Sequence, residues 1–139
     1  MKKAAIIFHS RTGITRTYAE EMEEYLKGKG LEVVSSSVKS YKKGTCEGAD
    51  YIFIGCWTSG LMIMLQHPDR EWNDFAKDFE GAPNAKSFLF TTYKILTGSM
   101  FRKMMKSLNG KIQNPAAELK SRDGSLPEKD RKILDNFIV

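Results

Sequence analysis

Few folds accommodate a short apolar run that breaks into hydroxyls and a glycine and resumes at once as a helix. Ala4-Ala5-Ile6-Ile7-Phe8 is the run, and Ser10-Arg11-Thr12-Gly13-Ile14-Thr15 is the break. Ile14, Tyr18, Met22 and Leu26 then recur every four residues, one face of a helix. A strand that feeds straight into a helix turns the first helical N–H groups toward the connecting loop. Those groups have no partner within the helix, and the helix dipole favours negative charge beside them. Three hydroxyls and one glycine supply donors and a permissive backbone. The simpler reading is a helix start capped by Thr12 or Thr15. Capping uses one hydroxyl, however, and this loop has three and no carboxylate to repel an anion. The stretch therefore reads as a phosphate-binding loop.

The remaining chain repeats the strand-then-helix order. Lys3 to His9 reads as a buried strand, with the first helix stopped by Gly28 and Gly30. Leu31 to Val34 is a second, shorter strand. Residues 35–48 have no clear period and read as loop with one helical turn. Asp50 to Cys56 is the strongest strand, ending in Trp57-Thr58-Ser59-Gly60, a second polar turn. Pro68 suits the first turn of a helix carrying Trp72, Phe75, Ala76 and Phe79 on one face. Lys86 to Thr92 is strand, and 93–98 is loop. Ser99 is placed to cap a helix over Met100, Phe101, Met104, Met105 and Leu108, whose Met and Phe residues are simplest as core. Ala116 to Leu119 is a last strand, Asp123-Gly124 a turn, and Pro127 opens a helix with Ile133, Leu134 and Phe137. Such alternation predicts an α/β protein with a parallel sheet covered on both faces. Ligands of these sheets sit beyond the carboxyl ends of the strands, where strand order reverses. The loops expected to meet there are 10–15, 57–67 and 93–98, the last offering Tyr93 and Thr97.

With 139 residues one domain is expected, and 41% hydrophobic residues are ordinary for a globular chain. No apolar run reaches the length of a membrane span. The run after Met1-Lys2-Lys3 is too short for a signal peptide and is interrupted by His9 and Arg11. Cys46 and Cys56 offer neither a disulfide framework nor metal spacing. A soluble cytoplasmic protein without a metal is the expectation. Charge is uneven: residues 1–85 hold 11 Lys/Arg and 12 Asp/Glu, a net of −1, whereas residues 86–139 hold 11 and 5, a net of +6. No nucleic-acid motif accompanies the basic half, so nucleic acid is not expected as a partner. Other chemistry fails on spacing. Leu61 stands where a Walker lysine belongs, no G-x-G-x-x-G occurs, and Met62 replaces the arginine of a cysteine-phosphatase loop. Ser59 lacks the glycine two places before it that a hydrolase elbow uses. Asp50 opens its strand instead of ending it, against a phospho-acceptor. His9 and His67 are too sparse for a metal site; His9 reads as a satisfied strand-end residue and His67 as a surface one.

On these residues the chain resembles the flavodoxins. Ser10 to Thr15 after the first strand is similar to their phosphate loop, and Ile54-Gly55-Cys56 with the turn behind it to their second flavin loop. Lys120 to Phe137, with Gly124, Pro127 and Asp130, is similar to their last strand and helix. The resemblance implies a flavodoxin-like three-layer sandwich, with a five-stranded parallel sheet in the order 2-1-3-4-5, of the short-chain type. It implies bound FMN. The side chains of Ser10, Thr12 and Thr15 and the amides of Arg11, Gly13 and Ile14 would hold the phosphate. Trp57, Thr58, Ser59 and Gly60 would border one side of the flavin ring, and Thr92, Tyr93, Thr97 and Gly98 the other. Gly60 matches a glycine whose peptide turns toward the reduced flavin, a rotation that the lack of a Cβ permits.

Two departures stand out. Many flavodoxins have an aromatic residue or Met just before that glycine; here it is Ser59, and Trp57 lies two places earlier. Flavodoxins are usually strongly acidic, which lowers the potential of their flavin, whereas this chain carries net +5. Lys94, His67 and Arg70 fall in or near the flavin loops. A higher potential and an acidic redox partner are the expectations. Three functions follow: an FMN electron carrier, monomeric or a weak homodimer; an FMN enzyme reducing a quinone with NAD(P)H; or a binding module that has lost FMN. Leu61-Met62-Ile63-Met64-Leu65 would line a pocket or interface in the second, or form a buried turn in any of them.

Overall fold

The computed structural model describes residues 1–58, 68–94 and 97–138. Within them the chain runs β1 (Lys3–His9), α1 (Ile14–Gly28), β2 (Glu32–Ser37), β3 (Tyr51–Trp57), α2 (Arg70–Asp78), β4 (Lys86–Thr92), α3 (Met100–Ser107), β5 (Ala117–Ser121) and α4 (Glu128–Phe137). The strands form one sheet in the order β2-β1-β3-β4-β5, every pair parallel. Fold class and strand order are those expected. Strand order reverses between β1 and β3, so the chain leaves their carboxyl ends in opposite directions and opens a crevice there.

Alternate strand residues face opposite layers. Ala5, Ile7, Ile52, Ile54, Cys56 and Leu89 pack with Trp72, Phe75 and Ala76 of α2 and Met100 and Met104 of α3. Ala4, Ile6, Phe8, Phe53, Phe88, Phe90 and Leu119 pack with Tyr18, Ala19, Met22 and Leu26 of α1 and Leu134 of α4. Both faces being covered, the strands read as unbroken apolar runs. Each fully buried Leu, Ile or Phe contributes ~1.5–3 kcal/mol, so these two layers dominate the stability.

Gly55 shows how tightly β3 and β4 are matched. A Cβ there would lie 2.1 Å from Cε2 of Phe90, its register partner. The missing side chain leaves room for the Phe90 ring, which meets Tyr18 of α1 edge-on at 5.7 Å. Gly55 thus sets how α1 sits on the sheet.

Several boundaries differ from expectation; β5, expected over 116–119, runs Ala117–Ser121, and β3, expected over 50–56, runs Tyr51–Trp57. β2 continues through Ser35, Ser36 and Ser37, which pair with Ile6, Ile7 and Phe8. Backbone pairing at a sheet edge needs no apolar side chain, so hydropathy ends too early there. Residues 38–48 form turns, with no helical turn among them. Helix α2 starts at Arg70 and is capped by Asp69, whose side chain accepts from Trp72 N, so Pro68 lies before the helix instead of in its first turn. Ser99 occupies the N-cap of α3 but makes no side-chain cap bond. Among the described residues no helix is long and apolar enough to cross a membrane.

Candidate functional site

The loop between β1 and α1 closes on itself. Gly13 N donates to Ser10 Oγ at 3.0 Å, and Gly13 O accepts both the amide and the hydroxyl of Thr17 at 3.0 Å. Gly13 is the N-cap of α1 with φ of 96°, a left-handed conformation that side chains disfavour. No side chain caps α1, and its first turn holds no acidic residue. The Thr12 or Thr15 cap weighed above is therefore not formed. The amides of Ile14, Thr15 and Arg16 are left without partners inside the helix. Thr12 is exposed beside them. Amides unpartnered within the helix, an uncapped dipole and no carboxylate in the loop suit a phosphate monoester.

Thr15 points inward. It is 1% exposed, and its hydroxyl lies 2.5 Å from that of buried Thr92 at the end of β4. One hydroxyl donates to the other, leaving a second hydrogen on the pair for a further acceptor. Thr58 N donates to Thr92 O at 2.9 Å, and Thr58 and Thr91 hydroxyls meet at 2.8 Å. The first turn of α1 and the ends of β3 and β4 are thereby joined. Tyr93 follows, half-buried, its amide donating to Ser121 O at 3.3 Å. Lys120 Nζ and Arg122 Cζ lie 5.9 and 5.4 Å from its ring centroid. Thr97 O accepts Met100 N, so Thr97 and exposed Gly98, with φ of 53°, lead the chain into α3. Ser59, Gly60, residues 61–65 and His67 lie outside the described residues.

Trp57 stands against the loop after β1: Arg11 Cζ is 5.2 Å from its ring centroid, a cation–π contact. Its indole Nε1 donates to Asp69 Oδ2 at 2.9 Å. His9 Nε2 meets the same oxygen at 2.7 Å, and Trp72 N donates to Oδ1 at 3.0 Å. Partial burial works against charge on Asp69, but the Trp72 amide, His9 and Trp57 together hold its carboxyl below the ordinary range. An ionised carboxylate only accepts, so His9 carries its proton on Nε2. His9 is thus the satisfied strand-end residue the sequence suggested. Glu71 lies 3.9 Å from His9 Nε2 and 3.4 Å from Lys39 Nζ. Burial raises the Cys56 thiol well above its usual value, which makes it inert here.

Asp69 is the residue that sequence reasoning missed. Its signal was an Asp three places before Trp72, the first residue of the apolar helix face, the mark of an N-cap. Lys120 and Arg122 also escaped notice, because β5 is brought beside Tyr93 only by pairing with β4. Arg11, Arg16, Lys94, Lys120 and Arg122 are exposed around these loops.

A family model for flavodoxin matches residues 6–130. No curated protein matches the chain in sequence. Among solved structures, a short-chain flavodoxin associated with a bacterial microcompartment superposes with a TM-score of 0.74 at 17% identity, over 99% of this chain and 94% of that one. A flavodoxin of Streptococcus pneumonia TIGR4 gives 0.69 at 20% identity, over 97% and 94%. The Fusobacterium nucleatum flavodoxin bound to flavin mononucleotide gives 0.61 at 15%, over 99% and 95%. At such identities the likeness carries the fold.

Proposed function

This chain belongs to the flavodoxin family, and we propose that it binds FMN and passes electrons between redox proteins. The observation that carries this reading is the uncapped, amide-lined start of α1 behind the Ser10–Gly13 turn. FMN, when bound, supplies the redox chemistry, taking up and returning electrons. The chain's residues bind and orient it. Ser10 shapes the turn, the first-turn amides of α1 and the Thr12 hydroxyl face the phosphate, and the Thr15–Thr92 pair joins the phosphate end to the β4 loop. Tyr93, whose own ring carries Lys120 and Arg122, would border the flavin on the β4 side.

The cations around the mouth support a higher potential than an acidic member of the family would have. A unit charge about 10 Å from a negative flavin is worth ~0.4 kcal/mol in water, less once salt screens it. Five such charges favour the reduced form by ~1–2 kcal/mol. The same charges favour an acidic redox partner, whose encounter would slow as salt rises. Titration of the purified protein with FMN, followed by absorbance and by loss of flavin fluorescence, is the primary test. Saturable one-to-one binding is expected, and a colourless protein that ignores added FMN overturns the reading. A redox titration then tests the charge argument, which fails if the second electron enters at the very low potential of an acidic flavodoxin.

A further inference from the structure

Arg11 is exposed, and among the described residues no carboxylate pairs with it; its guanidinium rests on the Trp57 ring. An unsupported arginine side chain loses rotamer freedom when a ligand fixes it, so a shelf that holds it beforehand strengthens binding. The shelf is itself held. Trp57 spans from Arg11 on its face to Asp69 at its indole N–H, and Asp69 is fixed by Trp72 N on its other oxygen. His9 supplies a second donor to the oxygen that Trp57 uses.

We propose that Arg11 is a specificity-determining residue that selects the phosphorylated flavin, and that Asp69 is the positioning residue that holds Trp57, and through it Arg11, at the phosphate end. This deepens the FMN reading and rests on it. Trp57 then acts mainly as the support of a cation and only secondarily as a wall for the flavin ring. The charged and titratable groups around the relay are Asp69 and Glu71 on the α2 side, Lys39 beside Glu71, His9 at the end of β1, and Arg11 itself.

Asp69→Asn separates the two duties of the carboxylate. Asn is as good an N-cap as Asp, so its oxygen can keep Trp72 N. Its amide nitrogen then faces two donors, His9 Nε2 and Trp57 Nε1, and the support for Trp57 is lost. Trp57→Phe keeps an aromatic face, though a smaller one, and removes the N–H, so it should reproduce the effect. Each variant is titrated with FMN and with riboflavin, which lacks the phosphate. Arg11→Ala should weaken FMN about tenfold and leave riboflavin within about twofold, as expected for one lost charged hydrogen bond. D69N and W57F should weaken FMN several-fold, riboflavin again little changed. The double variant R11A/D69N should bind FMN no worse than R11A alone.

A readout free of flavin accompanies this. The chain has two tryptophans, so a proton–nitrogen spectrum of the apoprotein shows two indole N–H signals, assigned through W57F. The Trp57 signal should move in D69N while that of Trp72 stays. Equal weakening of FMN and riboflavin by R11A or D69N overturns the proposal, as do additive losses in the double variant or an unmoved Trp57 signal. A wild-type protein that binds neither flavin refutes the parent reading and Arg11's selecting role with it; the hold of Asp69 on Trp57 is then decided by the apoprotein signals alone.

Discussion

The loop after β1 is held by its own neighbours, whereas the segment after β3 is held from afar. Ser10, Gly13 and Thr17 bond among themselves within a few residues. Trp57 is set by Asp69 from the start of α2, and Asp69 by His9 from the end of β1. In the same strand, Gly55 leaves the space that the Phe90 ring of β4 occupies. The first shoulder of the mouth is therefore a local motif that any strand and helix in this order could present. The second exists only once three elements have docked. Damage to the first should remove binding and spare the fold; damage to the second should reach the fold itself.

Gly55→Val puts this contrast to its hardest test. The added carbons meet the Phe90 ring far inside contact distance, and that ring is packed against Tyr18. Overpacking of this kind costs ~3 kcal/mol, or about 10 °C in Tm for a chain of this size. Thermal melts followed by circular dichroism measure it. A Tm within a degree or two of wild type would mean that β3 and β4 yield easily, and the second shoulder would no longer depend on packing beneath it.

Thr12 and Thr15 sharpen the comparison, since they lie three residues apart, Thr12 exposed in the loop and Thr15 buried in the first turn of α1. Thr12→Ala removes an exposed hydroxyl and should weaken FMN by about ten- to a hundredfold, the ~1.5–3 kcal/mol of a hydrogen bond to a charged group. Its Tm should stay close to wild type. Thr15→Ala should weaken FMN comparably and also lose the bond to Thr92, costing ~1 kcal/mol of stability. FMN titrations and melts of both variants suffice. Unchanged FMN affinity in both would remove the loop from the binding site, and equal stability in both would remove the distinction between its outward and inward hydroxyls.

That contrast also explains what could be read from the sequence. The bounds of β1, α1 and β4 were legible, because apolar run, glycine and helical period are local signals that agree with one another. The fold followed from their alternation, and the phosphate loop from residue types within six positions. β2 was cut short because Ser35 to Ser37 carry no hydropathy signal and are held by backbone pairing to β1. Thr15 was legible as a hydroxyl but not as the partner of Thr92, 77 positions away. Asp69 was legible as a helix N-cap but not as the partner of His9 and Trp57, 60 and 12 positions before it, which only the fold unites with it. Contiguous chemistry can be seen in a chain; chemistry assembled across strands needs the register.

Two carboxylates give the finest test, because each anchors one shoulder and they titrate in opposite senses. Asp130 backs α1 by accepting the Tyr18 hydroxyl. Burial raises its carboxyl above the ordinary value, against the lowering effects of the Tyr18 bond, Lys129 and Lys120. Its stabilising contribution is full below the unfolded value and lost as pH rises through the raised one. At Asp69, burial is outweighed by its donors and the carboxyl is depressed. That contribution is present above the unfolded value and lost as pH falls below about 4. Asp130→Asn keeps an acceptor for Tyr18 and removes a buried charge, so it should be more stable than wild type at pH 7, by on the order of 1 kcal/mol or less. The advantage should vanish by about pH 3, where wild-type Asp130 is already neutral. Asp69→Asn should do the reverse: less stable at pH 7 by ~1 kcal/mol, with the deficit shrinking below about pH 4. Urea unfolding of the three proteins at pH 7 and pH 3 decides it. Parallel pH profiles would mean that neither anchor is set by its surroundings; profiles that converge from opposite sides of wild type would mean that donor count at Asp69 and desolvation at Asp130 govern two otherwise identical side chains.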